Sequence, residues 1–406
     1  MLLVNPPNLL SSGAIFRLNR KAPESAEESF GPWTVEIREG SLGIVVRGGA
    51  ATSPTVAWTE AIEVVQQALD LLSVRGVADL AIVDAEDEHI VWWLDQQRAT
   101  LRLSATVTMN FRMGTPTLVV RDRSGAVIPQ PLPPALAWHD SFRYFRQSQI
   151  TDDLFDAFRN MYLALEALLS TIAPMRVKPN GRPSEGEGEW FQRALTEANN
   201  YIQLAAFAPS AGSSDPVDDI CRDLYGTYRT ALFHAKSGRP VFLPHTSPQR
   251  AAIATSVQRC TKLYMALAEA VLGAHRLTGG IFEYFFRTQT EQWDRDLVIY
   301  ASDDTMPVGP NDTVINPSGG QVVALSTQTA PELESPFVRV FLGKAPVACL
   351  GTLRHIARIM ATDLRRVPLF GHGEEGILTL EGIEGFEAAL SLRARNTRQV
   401  RAQYAT

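Results

Sequence analysis

An arginine and a histidine lie five residues apart near the end of a predicted helix, in the stretch DLYGTYRTALFHAKSGRP. In an α-helix five residues correspond to about 7.5 Å of rise and an offset of about 140°, so Arg229 and His234 do not share one stripe. A guanidinium can bridge that offset and clamp an anionic group, while an imidazole can transfer a proton. Together the two side chains suit a phosphodiester substrate.

The same two residue types are also common at an ordinary helix end. A histidine in the last turn can satisfy terminal carbonyl groups, and the negative pole of the helix favours its protonated form. An arginine one turn earlier is a frequent surface residue. On residue types and spacing alone, this structural interpretation of Arg229 and His234 is the stronger one.

The helix that carries this pair opens with Asp215 as a cap and Pro216 at its first position, and it stops at Gly238. Three further helices are predicted around it. They lie at residues 151–174, with Thr151 or Asp152 as cap and Pro174 as stop, at about 190–206, and at 247–279, which opens with Ser247 and Pro248 and stops at Gly279. Four helices with short connections predict an antiparallel bundle.

Strand patterns precede and follow these helices. Residues 31–50 alternate apolar and polar side chains between glycines, and one amphipathic helix follows from Pro54 towards Gly76. After Gly280 strand-like segments return, and we expect helices at about residues 351–366 and 381–396. The late strands form either a third small domain or an extension that completes the sheet of the first.

The helical region resembles the HEPN domain, a family named for nucleotide-binding proteins of higher eukaryotes and prokaryotes. The resemblance is carried by FRNMYLALEALL in an early helix and YRTALFHAK in a late one, and it covers about residues 138–276. It implies metal-independent RNA cleavage at a homodimer interface, with Arg229 and His234 as the catalytic pair. Active members often have Asn, Asp or His after the arginine, where this chain has Thr230, so non-catalytic binding stays open.

The whole chain resembles, more loosely, bacterial anti-phage proteins of the ApeA type and MauJ-like proteins. The predicted fold class is therefore an α+β multidomain protein with a β-rich N-terminal domain, a central HEPN-like antiparallel helical bundle and a C-terminal α+β region. The predicted boundaries are residues 1–128 for the N-terminal domain with its one long helix, 138–279 for the bundle and 280–406 for the C-terminal region, which either stands apart or packs with the N-terminal sheet.

Further residues could support such a site. Arginines between aromatic residues near the first bundle helix could stack on and clamp RNA, although we favour the simpler interpretation that the aromatics are core and the arginines solvated. The candidate substrate-binding residues are Arg143, Arg146, Arg159 and Lys236. Glu166 is a candidate partner of Arg229 or Arg159 across the bundle, and a purely structural pair is the more common case. Glu166 and Thr230 are the candidate supporting residues.

Composition limits the remaining possibilities. A formal charge of -6 over 406 residues argues against general coating of nucleic acid, so a polyanion site must be local. The 3 cysteines are widely spaced and predict neither a disulfide framework nor a zinc site. No apolar run approaches the roughly 18 residues that span a bilayer. The chain lacks phosphate-loop, HExxH and GxSxG motifs. We expect a cytoplasmic protein that uses no membrane, metal or cofactor.

Two classes of function follow. The first is a dimeric, metal-independent endoribonuclease or RNA-binding protein of bacterial stress or anti-phage defence. The second is a non-catalytic sensor or scaffold that uses its helices for dimerisation or for an unidentified protein partner. The sequence does not decide between them.

Overall fold

The computed structural model describes part of the chain in two compact units. The first unit combines the described residues between 11 and 109 with those between 283 and 394, and the second contains those between 136 and 274. The described residues are 11–95, 98–109, 136–151, 153–233, 242, 247–274, 283–291, 293–304, 321–335, 337–346, 348, 353, 355–362, 364–368 and 383–394.

The described strands all belong to the first unit. In chain order they are β1 (Ser12–Leu18), β2 (Ala26–Phe30), β3 (Trp33–Ile37), β4 (Gly43–Gly49), β5 (Ile82–Val83), β6 (Glu88–Asp95), β7 (Arg98–Met109), β8 (Ile299–Ser302), β9 (Val322–Ala324), β10 (Ser326–Thr329), β11 (Val338–Pro346), β12 (Arg358–Ala361), β13 (Leu364–Pro368) and β14 (Gly385–Ala394).

Helices occur in both units, and none of those in the described ranges is long and apolar enough to cross a membrane. The α-helices are α1 (Pro54–Val74), α2 (Asp140–Ile150), α3 (Leu154–Ile172), α4 (Glu187–Ala198), α5 (Pro216–Cys221), α6 (Thr230–Phe233), α7 (Ser247–Leu272), α8 (Glu283–Thr290) and α9 (Trp293–Asp296). A π-helical segment, Arg222–Arg229, joins α5 to α6, and two 3₁₀ turns lie at Leu204–Phe207 and Pro331–Leu333.

Both ends of the chain contribute to one large sheet. Its strand order is β10-β11-β14-β7-β6-β1-β4-β3-β2, and β5 pairs with β1, which makes ten strands within the described residues. β14 pairs with β7 in parallel from Gly385 opposite Thr100 to Ala394 opposite Met109, whereas the other described pairs of this sheet are antiparallel. A smaller antiparallel sheet has the order β13-β12-β8-β9.

The large sheet is buried on both faces. In a strand successive side chains point to opposite faces, and Ile90 and Trp92 of β6 pack in one apolar cluster while Val91 and Trp93 pack in another. The first cluster also contains Ile299 and its neighbours from the small sheet, and the second contains the buried stripe of α1. The small sheet and α1 therefore cover opposite faces of the large one.

The predicted fold class is wrong in its arrangement. The chain is α+β, but its architecture is set by a large mixed sheet, and the strand-rich part spans most of the chain instead of flanking a central HEPN-like helical bundle. Of the two alternatives for the C-terminal region, the structure has the extension of the N-terminal sheet, because β10, β11 and β14 belong to the same sheet as β1 to β7. The pairing of β14 with β7 across some 280 residues leaves no local sequence pattern, so hydrophobic periodicity alone could not reveal it.

The two helices predicted near the C-terminus are also wrong. The structure has β12 and β13 within the first of these stretches and β14 within the second. β14 has the sequence GFEAALSLRA, in which seven of the ten residues are buried and the other three are partly buried. A strand buried on both faces loses its polar alternation and reads as a continuous apolar run, which periodicity cannot distinguish from a buried helix.

The second unit is helical, and α3 lies at its centre. Asp153 caps α3 by accepting a hydrogen bond from the backbone N–H of Asp156 at 2.7 Å, and Pro174 follows its last turn. α3 contacts α2, α4, α6 and α7. It contributes nine fully or nearly fully buried side chains to their shared core, because its apolar residues recur at helical spacing: Leu154, Ala157, Phe158, Met161, Tyr162, Ala164, Leu165, Leu168 and Leu169.

The packing around β4 makes a test of the first unit possible. Gly48 has a φ of +119°, and a Cβ atom there would lie 1.9 Å from the carbonyl oxygen of Pro32. Gly76, after α1, has a φ of +72° with open space around its Cα. We expect Gly48→Ala to destabilise the protein by at least about 3 kcal/mol, because it combines backbone strain with a backbone clash.

Gly76→Ala is the matched control and should cost only about 1 kcal/mol, since it introduces the backbone strain alone. Urea unfolding monitored by tryptophan fluorescence would measure both. Equal losses for the two variants would contradict the close approach at Gly48.

Candidate functional site

The predicted third bundle helix is interrupted by the π-helical segment. α5 runs into Arg222–Arg229, which continues into α6. Two threonine hydroxyls donate to carbonyl oxygens five residues back, Thr227 to Arg222 at 3.2 Å and Thr230 to Tyr225 at 3.1 Å. π-helical turns are rare and often lie at functional sites. This one ends at Arg229.

The Arg229 guanidinium is in contact with a carboxylate and two aromatic rings. Its Nη2 donates to Oε2 of Glu187 at 2.5 Å. Its central carbon lies 5.1 Å from the ring centre of Tyr225 and 5.7 Å from that of Phe233, within the range of cation–π attraction. The Arg229 side chain is 19% exposed and that of Glu187 is 58% exposed. The arginine is thus held in place, while its carboxylate partner extends into solvent.

Glu166 of α3 adds a second carboxylate to this group. Burial raises the pKa of Glu166; Arg229 lowers it, Glu187 raises it and the nearby Tyr162 hydroxyl lowers it. Burial also raises the pKa of Tyr162, and its oxygen lacks a partner in good hydrogen-bond geometry among the described residues. We call Arg229, Glu187, Glu166, Tyr225 and Phe233 the Arg229 cluster.

Arg159 lies at the border of the Arg229 cluster. Its guanidinium carbon is 5.7 Å from the ring centre of Phe233, and its Nη2 donates to the carbonyl oxygen of Leu232 at 3.1 Å. Its Nη1 lies 3.5 Å from a carboxylate oxygen of Asp156, one turn earlier on α3. Phe233 therefore has two guanidinium groups beside it, and the positive charge near the end of α6 comes from two helices.

The structure brings together some of the predicted residues and separates others. Arg229 and Glu166 lie in the Arg229 cluster, Arg159 borders it, and Thr230 hydrogen bonds to the backbone of the π-helical segment. Two predicted RNA contacts, Arg143 and Arg146, are exposed on α2, and no hydrogen bond or ion pair within the described residues links them to the cluster. Two further predicted residues, His234 and Lys236, lie outside the described residues.

Sequence reasoning missed three members of the Arg229 cluster. Tyr225 and Phe233 lie four residues before and after Arg229, a spacing that brings side chains together on a helix and could have been noticed. Glu187 lies 42 residues from Arg229, on a different helix. No sequence pattern indicates that contact.

The Arg229 cluster can hold an anion only in competition with its own carboxylates. An exposed ion pair contributes about 0–1 kcal/mol, so the Glu187 side chain can swing away at little cost. A phosphate can offer two oxygens to a guanidinium, as a carboxylate can, and both form charge-assisted hydrogen bonds. Glu166, which is less exposed than Glu187 and interacts electrostatically with Arg229, would remain beside a bound phosphate.

Neither a metal site nor a known relative adds to this geometry. Within the described ranges no group of three or more His, Cys, Asp and Glu side chains could hold a metal ion. No protein-family model matches the chain, and no curated protein or solved structure matches it. The functional interpretation therefore rests on the side chains themselves.

The raised pKa of Glu166 predicts a pH-dependent stability. In the folded state the pKa of Glu166 lies above the ordinary 4.5. At pH values between 4.5 and the folded-state pKa, the folded state binds more protons than the unfolded state, so the free energy of unfolding falls as pH rises. The Glu166→Gln variant has no carboxyl group at this position, so its stability does not fall with pH for this reason. We expect Glu166→Gln to be more stable than the wild type at pH 8, with a difference that shrinks towards pH 4.5.

Urea unfolding of both proteins across this pH range is the measurement. Glu197→Gln, an exposed substitution on α4, is the control and should change stability equally little at every pH. A Glu166→Gln variant less stable than the wild type at pH 8 would show instead that Arg229 more than compensates for the burial of the charge.

Proposed function

We propose that the protein binds RNA at the Arg229 cluster and cleaves it without a metal ion. One observation carries the proposal: a guanidinium is fixed against two aromatic rings, and its carboxylate partner Glu187 is exposed enough to be exchanged for a phosphate. The resemblance of the Arg229 and His234 motif to HEPN ribonucleases supports the same chemistry. The proposal depends on the motif and on these contacts, and not on the predicted fold class.

The roles of the residues follow from their chemistry. Arg229 stabilises the negative charge that develops on the phosphoryl oxygens. His234 accepts the proton of the RNA 2′-hydroxyl as its oxygen attacks phosphorus, the bond from phosphorus to the 5′ oxygen breaks, and a solvent water molecule protonates the leaving 5′ oxygen. The products are a 2′,3′-cyclic phosphate end and a 5′-hydroxyl end, so the reaction needs neither a water nucleophile nor a metal-bound hydroxide.

The aromatic and basic residues around Arg229 suit a single-stranded substrate. Bases stack on exposed aromatic rings, and arginine side chains pair with the phosphates between them. Arg159 lies beside Phe233, and Arg143 and Arg146 are exposed on α2, which packs on α3. These arginines would extend the positive surface beyond Arg229. The proposed assembly is a homodimer formed through the helices.

A second candidate function is a non-catalytic sensor or scaffold, and one observation favours it. The ion pair between Arg229 and Glu187 connects the π-helical segment to α4, and Tyr225 and Phe233 pack in the core that α3 organises. In this interpretation Arg229 holds two helices together, and the helical surface serves for dimerisation or for a protein partner.

An RNA cleavage assay distinguishes the two functions. We expect the purified full-length protein to cleave labelled single-stranded RNA in EDTA and to leave a 2′,3′-cyclic phosphate. His234→Ala and Arg229→Ala should each reduce the rate by about 100-fold or more, the usual contribution of a proton-transfer or charge-stabilising group.

Arg222→Ala is the control, because Arg222 lies in the same π-helical segment but is exposed and paired with Asp218 and Asp219. It should leave the rate unchanged. Cleavage that survives His234→Ala would exclude the proposed site, and a wild-type protein that does not cleave RNA would favour the scaffold.

Glu187→Gln separates a substrate-binding role of Arg229 from a structural one. If phosphate must compete with Glu187, removal of its charge should tighten RNA binding by about threefold, the equivalent of an exposed ion pair. Fluorescence anisotropy with labelled RNA would measure the affinity.

The control for this substitution is Glu189→Gln in the same turn of α4, whose carboxylate accepts a hydrogen bond from the backbone N–H of Gly186 at 2.9 Å. It should not tighten binding. A Glu187→Gln variant that loses stability without a gain in RNA affinity would support the structural role.

A further inference from the structure

A cavity of about 440 Å³ lies in the helical unit, between the start of α2 and the end of α3. It is large enough for a small ligand or a long side chain, and it shares no lining residue with the Arg229 cluster. Its lining residues are Trp138, His139, Asp140, Ala167, Ser170 and Thr171. We propose that this cavity binds an organic cation through a guanidinium or ammonium group.

The hydrogen bonds of the lining residues leave mainly acceptors for a ligand. The backbone N–H of Ser141 donates to Nδ1 of His139 at 3.2 Å, which places the ring proton on Nε2. Nε2 lies 2.9 Å from Oγ1 of Thr171 and donates to it. The hydroxyls of Thr171 and Ser170 donate to carbonyl oxygens one turn earlier on α3, at 3.3 and 2.9 Å. The protons of these three side chains are therefore used within the protein.

Asp140 supplies a negative charge beside these acceptors. It is the first residue of α2, and no hydrogen bond or ion pair within the described ranges involves its carboxylate. Its position in the first turn favours the helix through the helix dipole. His139 caps the same turn, since its Nδ1 accepts from the backbone N–H of Ser141. Asp140 is the one carboxylate among the lining residues of this cavity.

Trp138 completes the arrangement. Its side chain is 72% exposed, which is unusual for tryptophan, and its neighbour in the chain, His139, is fixed by its hydrogen bonds to α2 and α3. An indole face beside a carboxylate attracts a cation in two ways: through the quadrupole of the ring and through the negative charge of the carboxylate. The dipole of α2 explains the presence of Asp140 at the start of the helix, but it does not explain an exposed tryptophan.

The same groups disfavour other ligands. An anion would meet the Asp140 carboxylate and few available protons. A divalent metal ion requires six or more oxygen ligands or several carboxylates, and the lining has one carboxylate. A flat guanidinium can instead stack on the indole of Trp138 while its N–H groups donate to Asp140 and to Oγ of Ser170. This inference is independent of RNA cleavage at Arg229.

Calorimetric titration of the full-length protein tests the proposal. Arginine is the probe, and citrulline is its neutral counterpart, in which a urea group replaces the guanidinium. We expect arginine to bind with an affinity at least about tenfold higher than that of citrulline, because the two differ in the charge that Asp140 recognises. Trp138→Ala and Asp140→Asn should each weaken arginine binding by about threefold or more.

Tyr284→Ala is the control, since Tyr284 is 82% exposed and belongs to the other unit. It should leave the affinity unchanged. Short peptides with a central arginine or citrulline identify the source of the cation: a peptide that binds at least tenfold tighter than free arginine indicates a partner protein, and otherwise the ligand is a small molecule. Equal binding of arginine and citrulline, or binding unchanged by both cavity substitutions, would overturn the proposal.

Discussion

The parallel pairing of β7 with β14 is the constraint on which the first unit depends. It connects strands that are some 280 residues apart, so the chain leaves the sheet after β7, forms the helical unit and returns to complete the same sheet. A row of charges fixes the register. Glu387 of β14 lies directly opposite Lys344 of β11 and Arg102 of β7, and it forms ion pairs with both, at 3.1 and 2.6 Å. A shift by one residue would bring apolar side chains into this row.

The charges of Glu387 and Arg102 lie on side chains that are largely shielded from water, and each of them is compensated by opposite charge. The Glu387 side chain is 11% exposed, and a single buried partner rarely offsets the loss of hydration. Glu387 has two cations, and Arg393, six residues further along β14, donates to both carboxylate oxygens of Asp87 at 2.8 and 2.5 Å. Asp87 lies in the turn before β6. The last described strand is therefore tied to the first half of the chain by charge as well as by backbone pairing.

The sequence predicts elements that carry their own signal and misses those that depend on distant partners. The apolar stripes and the proline at the start of α1 are local, and the structure has both helices where these signals lie, although α3 is capped by Asp153 and not by Thr151 or Asp152. β14 was mistaken for a helix because both of its faces are covered by strands and helices that its own residues do not reveal. The Arg229 cluster shows the same limit: Arg229 and Glu166 could be found from residue type, whereas Glu187 could not.

Arginines in this chain differ in how completely a carboxylate neutralises them, and this difference bears on the proposed function. In the strand-rich unit Arg102 is paired with the buried carboxylate of Glu387, and Arg393 with the half-buried carboxylate of Asp87. In the helical unit Arg143 and Arg146 are exposed, without an ion pair in the described residues, and Arg229 is paired with an exposed carboxylate. A chain with a net charge of -6 can attract a polyanion only where its cations are not already neutralised. Arg143 and Arg146 meet that condition on α2, so they are cations of the helical unit that the proposed RNA substrate could reach.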